Sequence, residues 1–406
     1  MKVLLVHNSY QQPGGEDVVV AQEAALLRRA GHDVVEYRRS NQALETLGLG
    51  GKLTLPVRLI WADDTARELA ALIRRMQPDV VHVHNTFAMI SPAAYYVCQR
   101  LGVPVVQTLH NYRLHCLRAD FFRAGRVCEA CLGKRLPWPG IVHGCYRGSR
   151  LQSMGVAAML TVHRWWQTWE TQVDVYIALT EFARQKLVQG GLPAEKIVLK
   201  PNFVSPDPGM RQGMGDYALF VGRCAPVKKI FTLFEAWQHV DAVPLKLVGG
   251  GLEADTVRQL IRQYRLESVE FLGQRSRDEV FTLMHQARFV VFPSEWYETF
   301  GMVIVEAFAC GVPVIASRLG AIEEVVEAGQ TGLLFNPGDA ADLAAKVRWA
   351  IDHPEALVTM GQKARQVYEA KYTSTQNYTM LLDIYTRAIS AARGSGRPQS
   401  VREAAL

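Results

Sequence analysis

Short runs of β-branched and aromatic residues alternate with longer segments of helical period along this chain, and after a break near residue 205 the alternation starts again. In the first half the pattern predicts strands at 2–7, 34–37, 80–84, 103–108 and 173–178, with helices at 17–30 and 61–76. Gly31 stops the first helix and Pro78 follows the second. The stretch 201–215 carries three prolines and three glycines and reads as a linker. Beyond it, strands are predicted at 217–221, 245–248, 269–272, 289–292 and 312–316, and 355–392 is helical by pattern. Strands separated by helices imply right-handed βαβ units on a parallel sheet. The expected fold class is therefore α/β, with two Rossmann-like domains at 1–202 and 216–372. A closing helix at 373–392 is long enough to return to the first domain, and the tail 394–406 is expected to be disordered.

Composition sets the boundaries of this reading. The 406 residues are 49% hydrophobic and 21% charged, the balance of a globular chain. No apolar run approaches the roughly 20 residues that cross a bilayer. The N-terminus reads as a buried strand with no cleavage site, so a cytoplasmic location is expected. The net charge of +6 is unevenly placed: residues 1–205 carry 24 basic and 16 acidic side chains. Segment 111–150 interrupts the strand–helix rhythm as an insertion with eight basic and two acidic residues. Such a half suits an anionic acceptor or an anionic membrane surface, with a solvated basic face as the alternative. No nucleic-acid partner is expected.

Four features of the second half converge on one kind of ligand. Gly222 and Arg223 end the strand at 217–221, and Lys228 and Lys229 follow; cations past the carboxyl end of a strand stand where open α/β sheets bind ligands. Gly249, Gly250 and Gly251 end the next strand, where backbone can approach a ligand. The segment SEWYETFGMVIVEAFACGVPVIAS, residues 294–317, leads through Gly301 into a helix whose free N–H groups suit a diphosphate. Glu298 and Glu306, eight apart, can accept hydrogen bonds from sugar hydroxyls. Each feature alone is equally a turn or a surface charge; their order and context make the combination specific.

These motifs, FVGRCAPVKK, LVGGG, VEFLGQRS, the 294–317 segment and GQTGLLFNPGD, resemble glycosyltransferase family 4 over nearly all of residues 1–390. That resemblance implies the GT-B fold, two facing Rossmann-like domains with a cleft between them, and retaining transfer from a nucleotide-diphosphate sugar, UDP- or GDP-linked. It implies that Glu306 binds the ribose and Glu298 the donor sugar, and that main-chain groups at Phe300, Gly301, Met302 and Val303 bind sugar or phosphates. Arg223 and Lys228 match the family's diphosphate-holding cations, and Gly273 and Gln274 its contacts to the base. Val227 and Lys229 depart from the family's usual Glu and Gly around that lysine, so Lys229 shares the candidacy. His110 matches the active-site histidine, and Gly14 and Gly15 lie in the loop said to cross the cleft. The chain contains no Asp-x-Asp, so no catalytic metal is expected. No carboxylate nucleophile stands out in the first half, which favours front-face displacement.

The insertion holds Cys116, Cys128, Cys131 and Cys145, spaced C-x11-C-x2-C-x13-C. A structural zinc site fits this spacing, with reduced thiols or redox-active cysteines as alternatives. Cys98, Cys224 and Cys310 read as small core residues. Val162, Trp165, Trp166 and Trp169 have one-face helical spacing near Arg147, Arg150 and Arg164, fitting peripheral membrane contact or packing into the core. The leading expectation is transfer to a glycan or lipid-linked acceptor, at the inner face of a membrane in the lipid-linked case. The alternatives are a glucan synthase or phosphorylase acting on a soluble acceptor and a non-catalytic sugar-nucleotide-binding protein.

Overall fold

The structure is a computed structural model that describes residues 1–11, 14–45, 48–223, 229–240, 242–250 and 254–394. It divides into two compact units. Unit 1 comprises Met1–Phe121, Cys128–Pro201 and the segment from Asn377; unit 2 comprises Phe122–Val127 and Asn202–Gln376.

In unit 1, β1 (Lys2–Ser9), α1 (Gly15–Arg29) and β2 (Asp33–Ser40) form the first βαβ unit. The chain continues through α2 (Leu49–Ile60), α3 (Asp63–Met76), β3 (Val80–Asn85), α4 (Ala93–Arg100) and β4 (Val105–Thr108). The insertion contributes the two-residue strands β5 (Phe122–Arg123) and β6 (Arg126–Val127), which belong to unit 2, and the short helix α5 (Trp138–Val142). Then come α6 (Arg150–Trp165), α7 (Thr168–Thr171), β7 (Val175–Ala178), α8 (Glu181–Gln189) and β8 (Ile197–Leu199). The six-stranded parallel sheet has the order β2-β1-β3-β4-β7-β8. Its inner strands are rich in apolar residues because both faces are covered, whereas the edge strand β2 is half exposed. One face packs Leu4, Val81 and Val105 against Leu69, Tyr95 and Leu160. The other packs Val3, Val80 and Val106 against Ala24, Leu27, Leu381 and Tyr385.

Unit 2 repeats the plan. Its elements are β9 (Tyr217–Val221), α9 (Lys229–Trp237), β10 (Leu245–Val248), α10 (Ala254–Gln263), β11 (Val269–Gly273), α11 (Arg277–His285), β12 (Ala287–Phe292) and α12 (Met302–Ala309). β13 (Val314–Ser317), α13 (Ala321–Val325), β14 (Gly332–Phe335), α14 (Ala340–Asp352), α15 (Pro354–Lys371) and α16 (Ser374–Gly394) complete the chain. The sheet order, β11-β10-β9-β12-β13-β14, is that of a doubly wound dinucleotide-binding sheet. Chain direction across the sheet reverses between β9 and β12 in unit 2 and between β1 and β3 in unit 1. At such a switch point the loops leaving the two strands part to opposite faces and open a crevice.

The periodicity reading meets one correction. The four positions Val162, Trp165, Trp166 and Trp169 do not share a helix face: Gln167 adopts a left-handed φ of 53°, ends α6 and starts α7. Trp169 is buried at 4% exposure, whereas Trp165 stands 82% exposed. Strands β5, β6, β8 and β14 and helices α2, α4, α5 and α8 are additional to the elements expected from the sequence. The expected tail lies outside the described residues, except for Gly394.

Candidate active site

The switch point of unit 2 gathers the residues singled out in the second half. Gly222 follows β9 and donates its N–H to Val248 O at 2.9 Å, and Arg223 beside it is exposed. Gly249 donates to Gly273 O at 2.9 Å, so the loops leaving β10 and β11 run side by side. A Cβ on Gly250 would stand 2.8 Å from Gln274 Oε1, which makes Gly250 the residue that lets the Gln274 side chain lie there. Lys228, Cys224 and Gly251 lie outside the described residues, as do Gln12, Pro13 and the side chain of Lys229.

Past β12, Gly301 takes the N-cap position of α12 with φ 93°, a conformation that disfavours any side chain. Among the described residues no side chain caps this helix, so its first N–H groups, at Met302 and Val303, are the ones a ligand could meet. Phe300 is buried at 2% and packs its ring edge-on against Tyr372, so its ring serves the core and only its main chain is offered to a ligand. Ser294, itself fully buried, donates its hydroxyl to Glu298 Oε1 at 2.8 Å and fixes that carboxylate in the loop. Glu306 lies one turn into α12, its side chain 15% exposed, with Arg277 Nε 3.7 Å from Oε1. Burial pushes its carboxyl up to about 7, and Arg277 opposes the shift without cancelling it. Arg277 Nε and Nη2 have no hydrogen-bond partner among the described residues. Unit 2 therefore offers a strand-end cation, an uncapped helix start and two carboxylates along one crevice. That set matches a diphosphate followed by hydroxyl groups.

In unit 1, His110 follows β4, and a small cavity of about 40 Å³ opens beside it, walled by His84, Asn85, Thr86, Gln107 and Asn111. Gly14 caps α1, its N–H bonded to Asp17 Oδ2 at 2.9 Å, and Gly15 is the first helical residue. Among the described residues a Cβ at either glycine would meet nothing within 4 Å.

Two carboxylates of this half escaped the sequence reading. Glu16 accepts from Tyr10 Oη at 2.9 Å and faces His7 Nδ1 at 3.8 Å. Burial pushes its carboxyl up to about 8, although the Tyr10 hydrogen bond works the other way. Glu23 is completely buried against Lys200, His82 and His84. The only signal in the sequence was charge on what should be the inward face of an amphipathic helix.

The four insertion cysteines are free thiols. Cys131 is pushed up to about 11, first by burial and then by Cys116, Cys145 and Cys128 nearby. They stand near one another, yet among the described residues only Glu23, His82 and His84 form a set of three with ligand atoms mutually within 4.8 Å. Cys98 and Cys310 are core residues at 0% exposure, as read from the sequence.

Sequence models of two families cover consecutive parts of the chain. Glycosyltransferase Family 4 matches residues 13–208 and Glycosyl transferases group 1 matches residues 209–367. The chain belongs to the family 4, group 1 glycosyltransferases. An uncharacterized glycosyltransferase of Methanocaldococcus jannaschii is 33% identical over 196 residues, spanning 48% of this chain and 55% of that protein. Glycogen synthase of Mycobacterium tuberculosis is 26% identical, with 98% of this chain and 97% of that one aligned. Among solved structures, sucrose-phosphate synthase from Thermosynechococcus elongatus superimposes with a TM-score of 0.71 at 20% identity, over 96% of this chain and 99% of that one. Anabaena Alr3699/HepE in complex with UDP and glucose gives 0.69 at 20% identity, over 95% and 99%. At these identities the superpositions establish the GT-B fold of the glycosyltransferase. Its catalytic residues rest on the geometry above.

Proposed function

We propose that this glycosyltransferase moves a sugar, with retention of configuration, from a nucleotide-diphosphate sugar to an acceptor held at an anionic membrane surface. The observation that carries the donor assignment is the crevice at the β9/β12 switch point. Arg223 and the start of α12 meet the diphosphate, Glu306 the ribose, and Glu298 the transferred sugar. As the nucleoside diphosphate departs, negative charge grows on its oxygens, and fixed N–H dipoles and a guanidinium stabilise that charge without reorganising. In this reading no catalytic metal is required, and departure and attack take place on one face of the sugar. The Anabaena Alr3699/HepE structure, a complex with UDP and glucose, supports a nucleotide-sugar donor.

The membrane assignment rests on helix α6. Its outer stripe is apolar, with Leu151 74%, Met154 46% and Trp165 82% exposed. Helices α2 and α5 pack against α6 and add exposed Val57, Trp138 and Val142. Lys134, Arg135, Arg147 and Arg150 are exposed around them. Apolar side chains ringed by cations are what an anionic lipid surface recruits. The names of relatives such as glycogen synthase support a second reading, a soluble acceptor. We further propose that the insertion's four thiols take up structural zinc.

The test is a melting-temperature screen of the full chain against UDP, GDP, ADP and their sugars with EDTA present, since a ligand of the native state raises the midpoint. Stabilisation by one base supports the donor site, and no shift from any of them refutes it. Sedimentation with phosphatidylglycerol vesicles, lost in Trp165→Ala/Leu151→Ala and at high salt, supports the lipid reading. No vesicle binding in the intact chain leaves the soluble acceptor.

A further inference from the structure

A buried guanidinium normally uses every N–H it withdraws from water, because a donor left without an acceptor costs stability and gains nothing. Arg277 breaks that rule beside Glu306 in the crevice of unit 2. It is the first residue of α11, and a capping box fixes the backbone there: Ser276 Oγ accepts from Glu279 N–H, and Glu279 Oε2 accepts from Ser276 N–H. The side chain is held from two further directions. Arg277 Nη1 donates to Ser205 O at 2.7 Å, and Cζ lies over the Phe281 ring, 5.0 Å from its centre. Nε and Nη2 remain, both buried and both without a hydrogen-bond partner among the described residues.

Among the described residues Glu306 is the one carboxylate within 4 Å of this guanidinium, its Oε1 3.7 Å from Nε, and that spacing is too long for a hydrogen bond. Helix α11 follows β11 and α12 follows β12, on the two sides of the β9/β12 switch point, so the pair stands across the crevice. Such a gap between a donor and an acceptor suits one atom that can serve both. A phosphate or carboxylate oxygen would accept from Arg277 but carry its own charge against an ionised Glu306. A carbonyl oxygen offers nothing to the carboxylate, and an N–H offers nothing to the guanidinium. A hydroxyl answers both on one oxygen, its hydrogen toward Glu306 and a lone pair toward Arg277. Besides burial, Arg277 is the one group acting on the Glu306 carboxyl, with no hydrogen bond fixing it, so the carboxylate can turn to admit that oxygen.

We propose that Arg277 is a nucleotide-binding residue that clamps one ribose hydroxyl together with Glu306: Glu306 accepts the hydroxyl hydrogen, and Arg277 Nε or Nη2 donates to the hydroxyl oxygen. The inference rests on the reading of unit 2 as the nucleotide-sugar site. It adds a cation that reads the sugar of the nucleotide rather than its phosphates. It also makes the crevice selective for ribose, because a missing hydroxyl leaves a buried donor and a buried acceptor unpaired at once.

The test is a cycle that removes the protein group and the ligand group separately and together. The full chain is titrated calorimetrically at about pH 8 with UDP, GDP and ADP, and with the 2′-deoxy and 3′-deoxy forms of each one that binds. In the wild-type chain one of the two deletions should weaken binding by about 10- to 100-fold, as for a lost hydrogen bond to charged groups. Arg277→Met keeps the packing on Phe281 and removes the donors. It should bind the ribonucleotide about tenfold more weakly, and the penalty for the same deletion should shrink by at least about fivefold. A residue with a merely structural role would weaken ribo and deoxy forms alike. Penalties that are equal in wild type and variant therefore overturn the proposal, as does a wild-type chain indifferent to both hydroxyls. If Arg277→Met does not fold, Arg277→Gln takes its place in the cycle with the same expectation. If the wild-type chain binds none of the three nucleotides, the nucleotide-sugar reading falls and takes this proposal with it; binding with unchanged penalties removes the role of Arg277 alone.

Discussion

Glu306 gives the sharpest handle on the proposed donor site, because with the carboxyl buried the proposal makes donor binding depend on pH where most carboxylates are silent. The folded carboxyl sits at about 7 against an ordinary 4.5, pushed up by burial and only partly offset by Arg277. To accept hydrogen bonds from the ribose hydroxyls, as proposed, the group must be ionised. With a free-state pKa near 7, about nine-tenths of the sites are ionised at pH 8 and about one-tenth at pH 6. If the bound donor draws the pKa back toward the ordinary range, affinity weakens about tenfold between pH 8 and pH 6, by the population rule for a partly competent site. Calorimetric titration with an intact nucleotide sugar measures this directly. A sugar diphosphate lacks the terminal phosphate whose own proton, near pH 6, would confuse the reading with UDP or GDP. At pH 6, in buffers of different ionisation enthalpy, binding should release close to one proton per site. Glu306→Gln should bind more weakly at pH 8 and show no such slope.

The same shift acts on the unliganded protein with a definite sign. A carboxyl whose folded pKa lies above its unfolded value holds its proton more tightly when folded, so stability falls as pH rises from about 4.5 through 7. A shift from 4.5 to about 7 amounts to roughly 3 kcal/mol at alkaline pH. Glu306→Gln should recover much of this above pH 7 and little below pH 5, read from urea midpoints at both pH values. A wild-type affinity that is flat between pH 6 and 8, or a Gln variant with the wild-type slope, would refute the reasoning.

Three further outcomes follow from the site. Arg223→Ala should raise the dissociation constant for the nucleotide diphosphate, while His110→Ala lowers turnover with little loss of donor affinity; equal losses of affinity would contradict the two roles. Lys200→Met leaves Glu23 completely buried without its counter-charge and should cost about 3–5 kcal/mol in denaturant unfolding near pH 7, whereas a change under about 1 kcal/mol would mean that Glu23 is protonated or hydrated. Metal analysis of the purified chain should find one zinc per molecule, lost in Cys128→Ser/Cys131→Ser with a lower melting temperature; metal-free, fully folded protein would remove zinc from the account.

How much of this was legible in the sequence depended on whether a signal was local. Strands β9 and β10 were bounded correctly because apolar runs ending in glycine need no tertiary information. The crevice at α12 was equally legible, since a buried strand, a loop, Gly301 and a helix follow one another within twenty residues. Strand β8 was not, because three residues, Ile197–Leu199, carry too little pattern to stand out beside a helix end. The tryptophan run misled because helical spacing continues through Gln167 in the sequence, while the backbone turns left-handed there. Glu23 was invisible for a different reason. Its partners are Lys200, 177 residues away, and His84, so nothing near it in the chain explains a charge on the buried face of α1.

The two switch points show why the sequence spoke more clearly about one crevice than about the other. In unit 2 the strand ends at the crevice are small or main-chain in character: Gly222, Gly250 and Gly301. A glycine leaves space and exposed N–H groups, and it is visible as a letter in a motif. In unit 1 the corresponding crevice between β1 and β3 is filled by the chain's own polar side chains. Asn8 is fully buried, donates to Asn41 Oδ1 and to Phe87 O, and accepts from Met89 N–H, while Asn85 donates to Asn8 O. Each of these groups is satisfied, and a satisfied buried network is rigid because every displacement breaks several bonds at once. Glycine and main-chain groups thus line the crevice of unit 2, whereas a satisfied polar network holds the loops leaving β1 and β3 in unit 1. On that footing, removing the Asn8 side chain should loosen unit 1 around His110 more than it lowers donor affinity. Asn8→Ala should raise amide exchange at residues 85–90 and reduce turnover, with the nucleotide dissociation constant unchanged. An equal loss of nucleotide affinity would show that the crevice of unit 1 binds the donor as well.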